Sequence, residues 1–225
     1  MVAQPDDRSC GPTCLQAVYR YFGREEPLEA LIEEIPQLET GGTLAVQLGC
    51  HALRRGFSAT IHTYNVQLFD PTWFRGTTTD LRERLAEQAR VKPDDGRLGL
   101  ATTKYLEFLE LGGRVEHDML EPALIHGILA QGLPILTGLS ATYLYGHPRE
   151  VPDEDRPDDI RGEPVGHFVV LSGHDPSTVS VTVADPWPDP EVPDQLHVRP
   201  LFRVIAAILL GVLTYDANLL VLRPR

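Results

Sequence analysis

Basic residues are scarce in this 225-residue chain, where 20 lysines and arginines stand against 32 aspartates and glutamates for a formal net charge of −12. A surface of that sign offers no electrostatic footprint to nucleic acid and is repelled by anionic membranes, so neither is expected as a partner. Cysteine is scarce as well. Three is an odd number, and the chain's start lacks the positive, apolar and small-residue succession of a secretory signal, so a disulfide framework is not expected and a reducing cytoplasm is. The longest strongly apolar run, residues 204–213, is well short of the roughly 20 residues that a membrane-spanning helix needs. It reads instead as a helix with Leu201, Val204, Ile205, Ile208, Leu209 and Val212 along one face, apolar nearly all round and so buried on several sides. Internal repeats and low-complexity tracts are lacking too. The remainder, 42% apolar and 23% charged, is ordinary for a globular protein with one well-filled core, and a single domain over 1–225 is expected.

What is there is concentrated at the start. A polar turn, Gln4-Pro5-Asp6-Asp7-Arg8-Ser9, leads into a helix whose apolar residues Cys14, Leu15, Val18, Tyr19 and Phe22 form one buried stripe, closed by Gly23. Cys10 falls where that helix begins, and Pro12 suits a first turn that needs no backbone N–H. Unsatisfied N–H groups and the positive end of the helix dipole favour a thiolate there. A lone cysteine is usually a small buried hydrophobe. Gln4, six residues upstream, adds a side-chain amide that, with the Cys10 N–H, could hold a developing oxyanion.

Helices are expected at residues 27–35, 43–55, 79–91, 102–111 and 121–131, the third of these being a charged surface element resting on Leu81, Leu85 and Ala89. Residues 57–63 alternate as a strand, Asp70-Pro71 marks a turn, 92–96 a loop and 114–117 a brief strand. Leu133-Pro134 opens a strand that its proline assigns to an edge or a strand start. From there the chain turns from mainly helical to mainly strand, ending in a last strand at 218–222. The acidic, proline-punctuated segment 149–163 is open to three readings: a surface loop, a flap over a site, or a contact for a basic partner.

After that segment, Gly166-His167-Phe168-Val169-Val170-Leu171-Ser172-Gly173 forms a strand, and residues 179–184 a second one running into Asp185-Pro186-Trp187. A hairpin symmetric about Pro176 would set Leu171 opposite Val181, Val169 opposite Val183 and His167 opposite Asp185, all on one face. A directly opposed pair has Cβ atoms roughly 4.5–5.5 Å apart, close enough for imidazole to reach carboxylate. A bulge or a one-residue slip would break that inference. A histidine starting a strand is commonly structural, and an Asp-Pro after one is commonly a turn cap. With Cys10 and Gln4, however, they complete a nucleophile, a base, an orienter and an oxyanion donor, the parts of acyl transfer. His174 and Asp175, in the expected hairpin loop, are weaker candidates. Cys10 and Cys14 form CxxxC rather than the CxxC of redox and zinc sites, Cys50 falls on a helix, and His51, His62, His117, His126, His147 and His197 have no ligand spacing, so no metal or cofactor is expected.

Taken together, Gln4-x5-Cys10-Gly11, the helix end Tyr21-Phe22-Gly23, Leu133-Pro134, Gly166-His167-Phe168-Val169-Val170, Asp185-Pro186, and the closing Gly211 and Leu219-Leu220-Val221-Leu222 resemble the C39-type, papain-like cysteine peptidases over about residues 1–60 and 120–223. The resemblance implies an α+β, papain-like fold in which an N-terminal helical half bearing the cysteine packs on a C-terminal antiparallel sheet bearing the histidine and aspartate. It implies Cys10 as nucleophile, His167 as base, Asp185 as its orienter and Gln4 as oxyanion donor. On that pattern about 64–119 and 141–165 are insertions. Transporter-fused members cut leader peptides beside a membrane domain and an ATPase; residues 1–225 include neither, and a stand-alone form is expected. The expected function is hydrolysis of a peptide or amide bond in a peptide or protein substrate. An acyl transferase or transpeptidase using the same thioester, or a peptide-binding module on the same fold, are the alternatives.

Overall fold

The structure of the chain, a computed structural model, describes residues 1–38, 42–76, 80–92, 96–152, 154, 156–188, 195–211 and 217–225. The apolar stripe at 14–22 folds into α1 (Cys10–Tyr21), with Cys14, Leu15, Val18 and Tyr19 buried. Gly23 ends it in a left-handed conformation, φ +76°, which lets the Gly23 N–H reach the Arg20 carbonyl and the Arg24 N–H the Tyr19 carbonyl. There follow α2 (Leu28–Glu34), α3 (Ala45–Arg54), β1 (Phe57–Thr63), α4 (Leu81–Val91), α5 (Gly96–Glu110), β2 (Arg114–Glu116), α6 (Pro122–Leu129), β3 (Ile135–Ser140) and α7 (Ala141–Tyr145). The chain closes with β4 (Glu150–Val151), β5 (Arg156–Pro157), β6 (Gly166–Asp175), β7 (Ser180–Ala184), β8 (Leu196–Pro200), α8 (Leu201–Leu210) and β9 (Asn218–Pro224).

Seven strands form one sheet in the order β2-β1-β9-β3-β6-β7-β8, antiparallel except where β2 lies parallel to β1. The sheet is therefore not confined to the C-terminal half: β1 pairs with the last strand along its whole length, Phe57 opposite Pro224 through Thr63 opposite Asn218. Both faces are covered. Residues of α1, α2, α3, α4 and α5 build a core on one, and residues of α6, α7 and α8 a core on the other. Coverage on both sides explains why β6 and β9 read as continuous apolar runs rather than alternating ones.

Two expectations are narrowed, for Leu133-Pro134 and for the turn after Asp70, and two are corrected, for the start of α5 and the burial of α8. The Leu133-Pro134 strand begins at Ile135 and lies between β9 and β6, so its proline marks a strand start and not an edge. Helix α5 starts at Gly96 rather than 102, because Leu98 and Ala101 extend its buried face; the expected loop at 93–95 lies outside the described residues. After Asp70 the turn is one turn of 3₁₀-helix, Pro71–Phe74, whose Thr72 N–H donates to the Asp70 carboxylate. Helix α8 is buried on one side only: Leu201, Val204, Ile205, Ala207 and Ile208 face the core, whereas Phe202, Leu209 and Leu210 are exposed. A nearly all-apolar helix overstated its own burial, since its outer face meets solvent. Val212 lies outside the described residues.

The segment 149–163 contains the two-stranded β4–β5 sheet, and the Asp158 carboxylate accepts the Ile160 and Arg161 N–H groups. Asp153 and Asp155 lie outside the described residues. No helix among the described residues is long and apolar enough to cross a membrane.

Candidate active site

Cys10 is the first residue of α1, and among the described residues no side chain caps that helix end. Ser9 holds the capping position, but its hydroxyl donates to Asp6 Oδ1 (2.7 Å), which also accepts the Arg8 N–H. No acidic residue sits in the first turn either, so the positive end of α1 is left to Cys10. One turn on, the Cys14 thiol donates to the Phe168 carbonyl (3.3 Å) and pins α1 across β6.

At the start of β6, His167 is buried and its Nε2–H donates to Asp185 Oδ1 (2.7 Å), while Cys10 lies close enough to the same ring to favour its charged form. The two residues meet by a register different from the expected one. Strand β6 extends to Asp175, opposite Ser180, so the turn falls later than Pro176, and a bulge between Leu171 and Gly173 takes up one residue. Val183 is opposite Leu171 and Ala184 opposite Val170; continued, the ladder would set Asp185 opposite Val169, diagonal to His167. The net displacement is two residues. An even shift keeps every side chain on its face and replaces only its partner, and a diagonal neighbour is still within reach of an imidazole. The bulge thus preserves the pairing that a one-residue slip would have destroyed.

Gln4 is buried, and its backbone N–H donates to the Pro186 carbonyl (2.9 Å), joining the chain's start to the segment that follows Asp185. Its Nε2 donates to the Asp6 carbonyl (2.9 Å), leaving the second amide hydrogen unassigned, and its buried Oε1 has no partner among the described residues.

Two groups at the site carry no sequence expectation. The Tyr145 hydroxyl donates to Asp185 Oδ2, and the Trp187 N–H to Asp185 Oδ1 (2.7 Å). The Trp187 indole stands edge-on to the His167 ring with centroids 6.2 Å apart. Helix α7 delivers Tyr145: Ser140 caps its start, Gly146 ends it in a left-handed turn, and Arg203 donates to the Tyr143 and Leu144 carbonyls. Tyr145 lies in the stretch read as an insertion, 40 residues before its partner, and nothing local signals the contact. Trp187 follows Asp185 by two residues, so its place in the turn was the signal available.

Burial alone would lower the His167 pKa. The hydrogen bonds to Asp185 and Cys10, with the charge of both, outweigh it and push the value up to about 10. Burial acts against the Asp185 carboxylate too, but the His167 bond and charge, the Tyr145 hydroxyl and the Trp187 N–H hold it below the usual range. Burial, with Cys10 and Asp185 nearby, keeps the Cys14 thiol well above its ordinary value, and burial pushes Cys50 up to about 12. Both are inert thiols at neutral pH. His174 lies on β6 and stacks on His126 at 4.6 Å.

No family model and no curated protein matches the chain. Solved structures do. The peptidase domain of Streptococcus ComA, described as a bi-functional ABC transporter involved in a quorum sensing pathway, aligns with 100% of this chain and 97% of its own at 15% identity and a TM-score of 0.47. A chain described as a C39-like peptidase from Bacillus anthracis aligns with 100% of this chain and 94% of its own at 15% identity and a TM-score of 0.53. The latter likeness is one of fold: the α+β, papain-like arrangement of C39-like peptidases, as the sequence resemblance implies.

Proposed function

We propose that this chain is a thiol hydrolase of the cysteine peptidase type, acting on a peptide or amide bond in a peptide or protein substrate. The observation that carries the reading is the chain of contacts from Asp185 through His167 to Cys10 at an uncapped helix start. The Cys10 sulfur attacks the scissile carbonyl carbon, forming an S–C bond as the carbonyl π pair moves to oxygen. The Cys10 N–H and the free hydrogen of the Gln4 amide stabilise that oxyanion. His167 as imidazolium gives its proton to the leaving nitrogen as the C–N bond breaks, leaving a thioester. Water then attacks the thioester, His167 takes the water's proton, and the acid leaves with thiolate restored. Asp185 fixes the ring and favours its charged form, with Tyr145 and the Trp187 N–H holding Asp185.

The test is the rate of Cys10 alkylation against pH, followed by intact mass and peptide mapping, in the parent and in His167→Ala. A rate still high near pH 6 that collapses in the variant is expected, together with turnover of an unbiased peptide library that Cys10→Ala abolishes. A rate that follows an ordinary thiol with pKa ~8.5, indifferent to His167, would sink the reading and leave a peptide-binding module on the same fold.

A further inference from the structure

The opposite end of the sheet from Cys10 carries a second cluster. β1 and β2 lie parallel with His62 paired to Glu116, and Asp118 follows two residues on. His62 Nδ1 is 2.9 Å from Asp118 Oδ2 and 3.7 Å from Glu116 Oε2, and one ligand atom from each residue lies within 4.8 Å of the others. The imidazole is buried while both carboxylates are about half-exposed, so the cluster opens to solvent on its acidic side. Among the described residues no lysine or arginine pairs with either carboxylate; Arg114, the basic residue on β2, turns to Thr60 Oγ1 (3.5 Å). His117, between the two acids, is pinned by its Nδ1–H donating to the Thr63 carbonyl (2.7 Å) and by its ring stacked on Phe74 at 5.2 Å.

A separate observation concerns Tyr64. Two residues after His62, it is more than nine-tenths buried, yet its hydroxyl has no hydrogen-bond partner among the described residues. Its ring lies 6.2 Å from that of His117, the residue between the two acids, which sets the phenol beside the cluster. A buried hydroxyl without a partner costs about 1–3 kcal/mol unless something completes it.

We propose that His62, Glu116 and Asp118 form a divalent transition-metal site, suited to Zn²⁺, that clamps β2 to β1. One nitrogen and two oxygens are a borderline donor set that zinc accepts at about 2.0–2.2 Å, and tetrahedral geometry at that length separates ligand atoms by ~3.3–3.6 Å. The two separations from His62 Nδ1, 2.9 and 3.7 Å, lie on either side of that range, and the carboxylate oxygens lie within 4.8 Å of each other. A water would complete the shell and exchange a hydrogen bond with the Tyr64 hydroxyl. Along the chain these residues are too far apart to show ligand spacing; the β1–β2 pairing brings them together.

The test is titration of the full, chelator-stripped chain with Co²⁺ and Zn²⁺, reading visible cobalt absorption and thermal midpoint, in a Cys10→Ser background so that the Cys10 thiolate does not compete. One equivalent is expected, with a d–d band but no near-UV thiolate band, and a higher midpoint on loading. His62→Ala and the isosteric, half-exposed Asp118→Asn should each weaken binding by at least ~10-fold, the lower end of what even an outer-shell change costs. Asp118→Asn keeps the residue's size, so a fold defect would not account for its loss. Failure to bind an equivalent, or binding unchanged in both variants, would overturn the assignment in favour of a histidine hydrogen-bonded beside two acids. None of these outcomes depends on the proposed hydrolase activity.

Discussion

Asp185 gathers three donors, the His167 Nε2–H and Trp187 N–H on one oxygen and the Tyr145 hydroxyl on the other. A buried carboxylate needs that many, because an unpaired charge out of water is worth more in lost hydration than any one contact returns. The consequence is a pH dependence of stability with a definite sign. His167 is raised from 6.5 to about 10, so the stability it brings is fully present below pH 6.5 and is lost as the pH climbs toward 10. Asp185 is lowered from 3.8, so its contribution is present above that value and is lost as the pH falls through the depressed pKa. The excess thermal midpoint of the parent over His167→Gln should therefore be largest at pH 4–6.5 and shrink steadily to pH 10. A difference constant across pH 6–10 in paired calorimetric scans would show that the imidazole is not held charged.

Among the elements, β6 and β9 were legible as unbroken apolar runs, and His167 with Asp185 on one face followed from period two alone. Their true partners were not legible. The bulge at Ser172 has no local signature, and parity survived because turn and bulge together displaced the register by an even number. Helix α3 shows the same limit in another form. A glycine inside a helix normally costs about 1 kcal/mol against alanine, so Gly49 reads as a weakness. In the fold, a Cβ at Gly49 would come within 2.7 Å of the Phe108 ring of α5, and one at Gly113 within 2.5 Å of the same ring. Phe108 is fully buried and held from both sides, so it cannot move away from one glycine without meeting the other. Overpacking of this kind costs typically 1–3 kcal/mol and outweighs the helix gain. Gly49→Ala should lower the urea midpoint, and adding Phe108→Leu should recover part of the loss. A stabilised single variant would mean that α5 packs elsewhere.

For the whole molecule, the decisive property is that one sheet serves two cores. Successive residues of β9 alternate between them, Leu220 and Leu222 on the α1–α5 side and Leu219 and Val221 on the other, as do Phe168 and Val170 against Val169 and Leu171 in β6. His167 shares the face of Val169 and Leu171, whereas Cys10 belongs to the opposite core, so the two meet only where the end of β6 joins the faces. Such a site exists only while both cores are folded. The cores should then be lost together, the shared sheet and Phe22, which packs against both, joining them. Ile208 of α8 is fully buried in the core remote from α1, and Ile208→Ala should cost ~2–5 kcal/mol. Cys50, buried on α3 in the other core, reports the far side. In urea, protection of Cys50 from alkylation should fall in Ile208→Ala by the same free energy as the far-UV signal. If Cys50 stayed protected while α8 melted, the sheet would be dividing the molecule into two units rather than joining them.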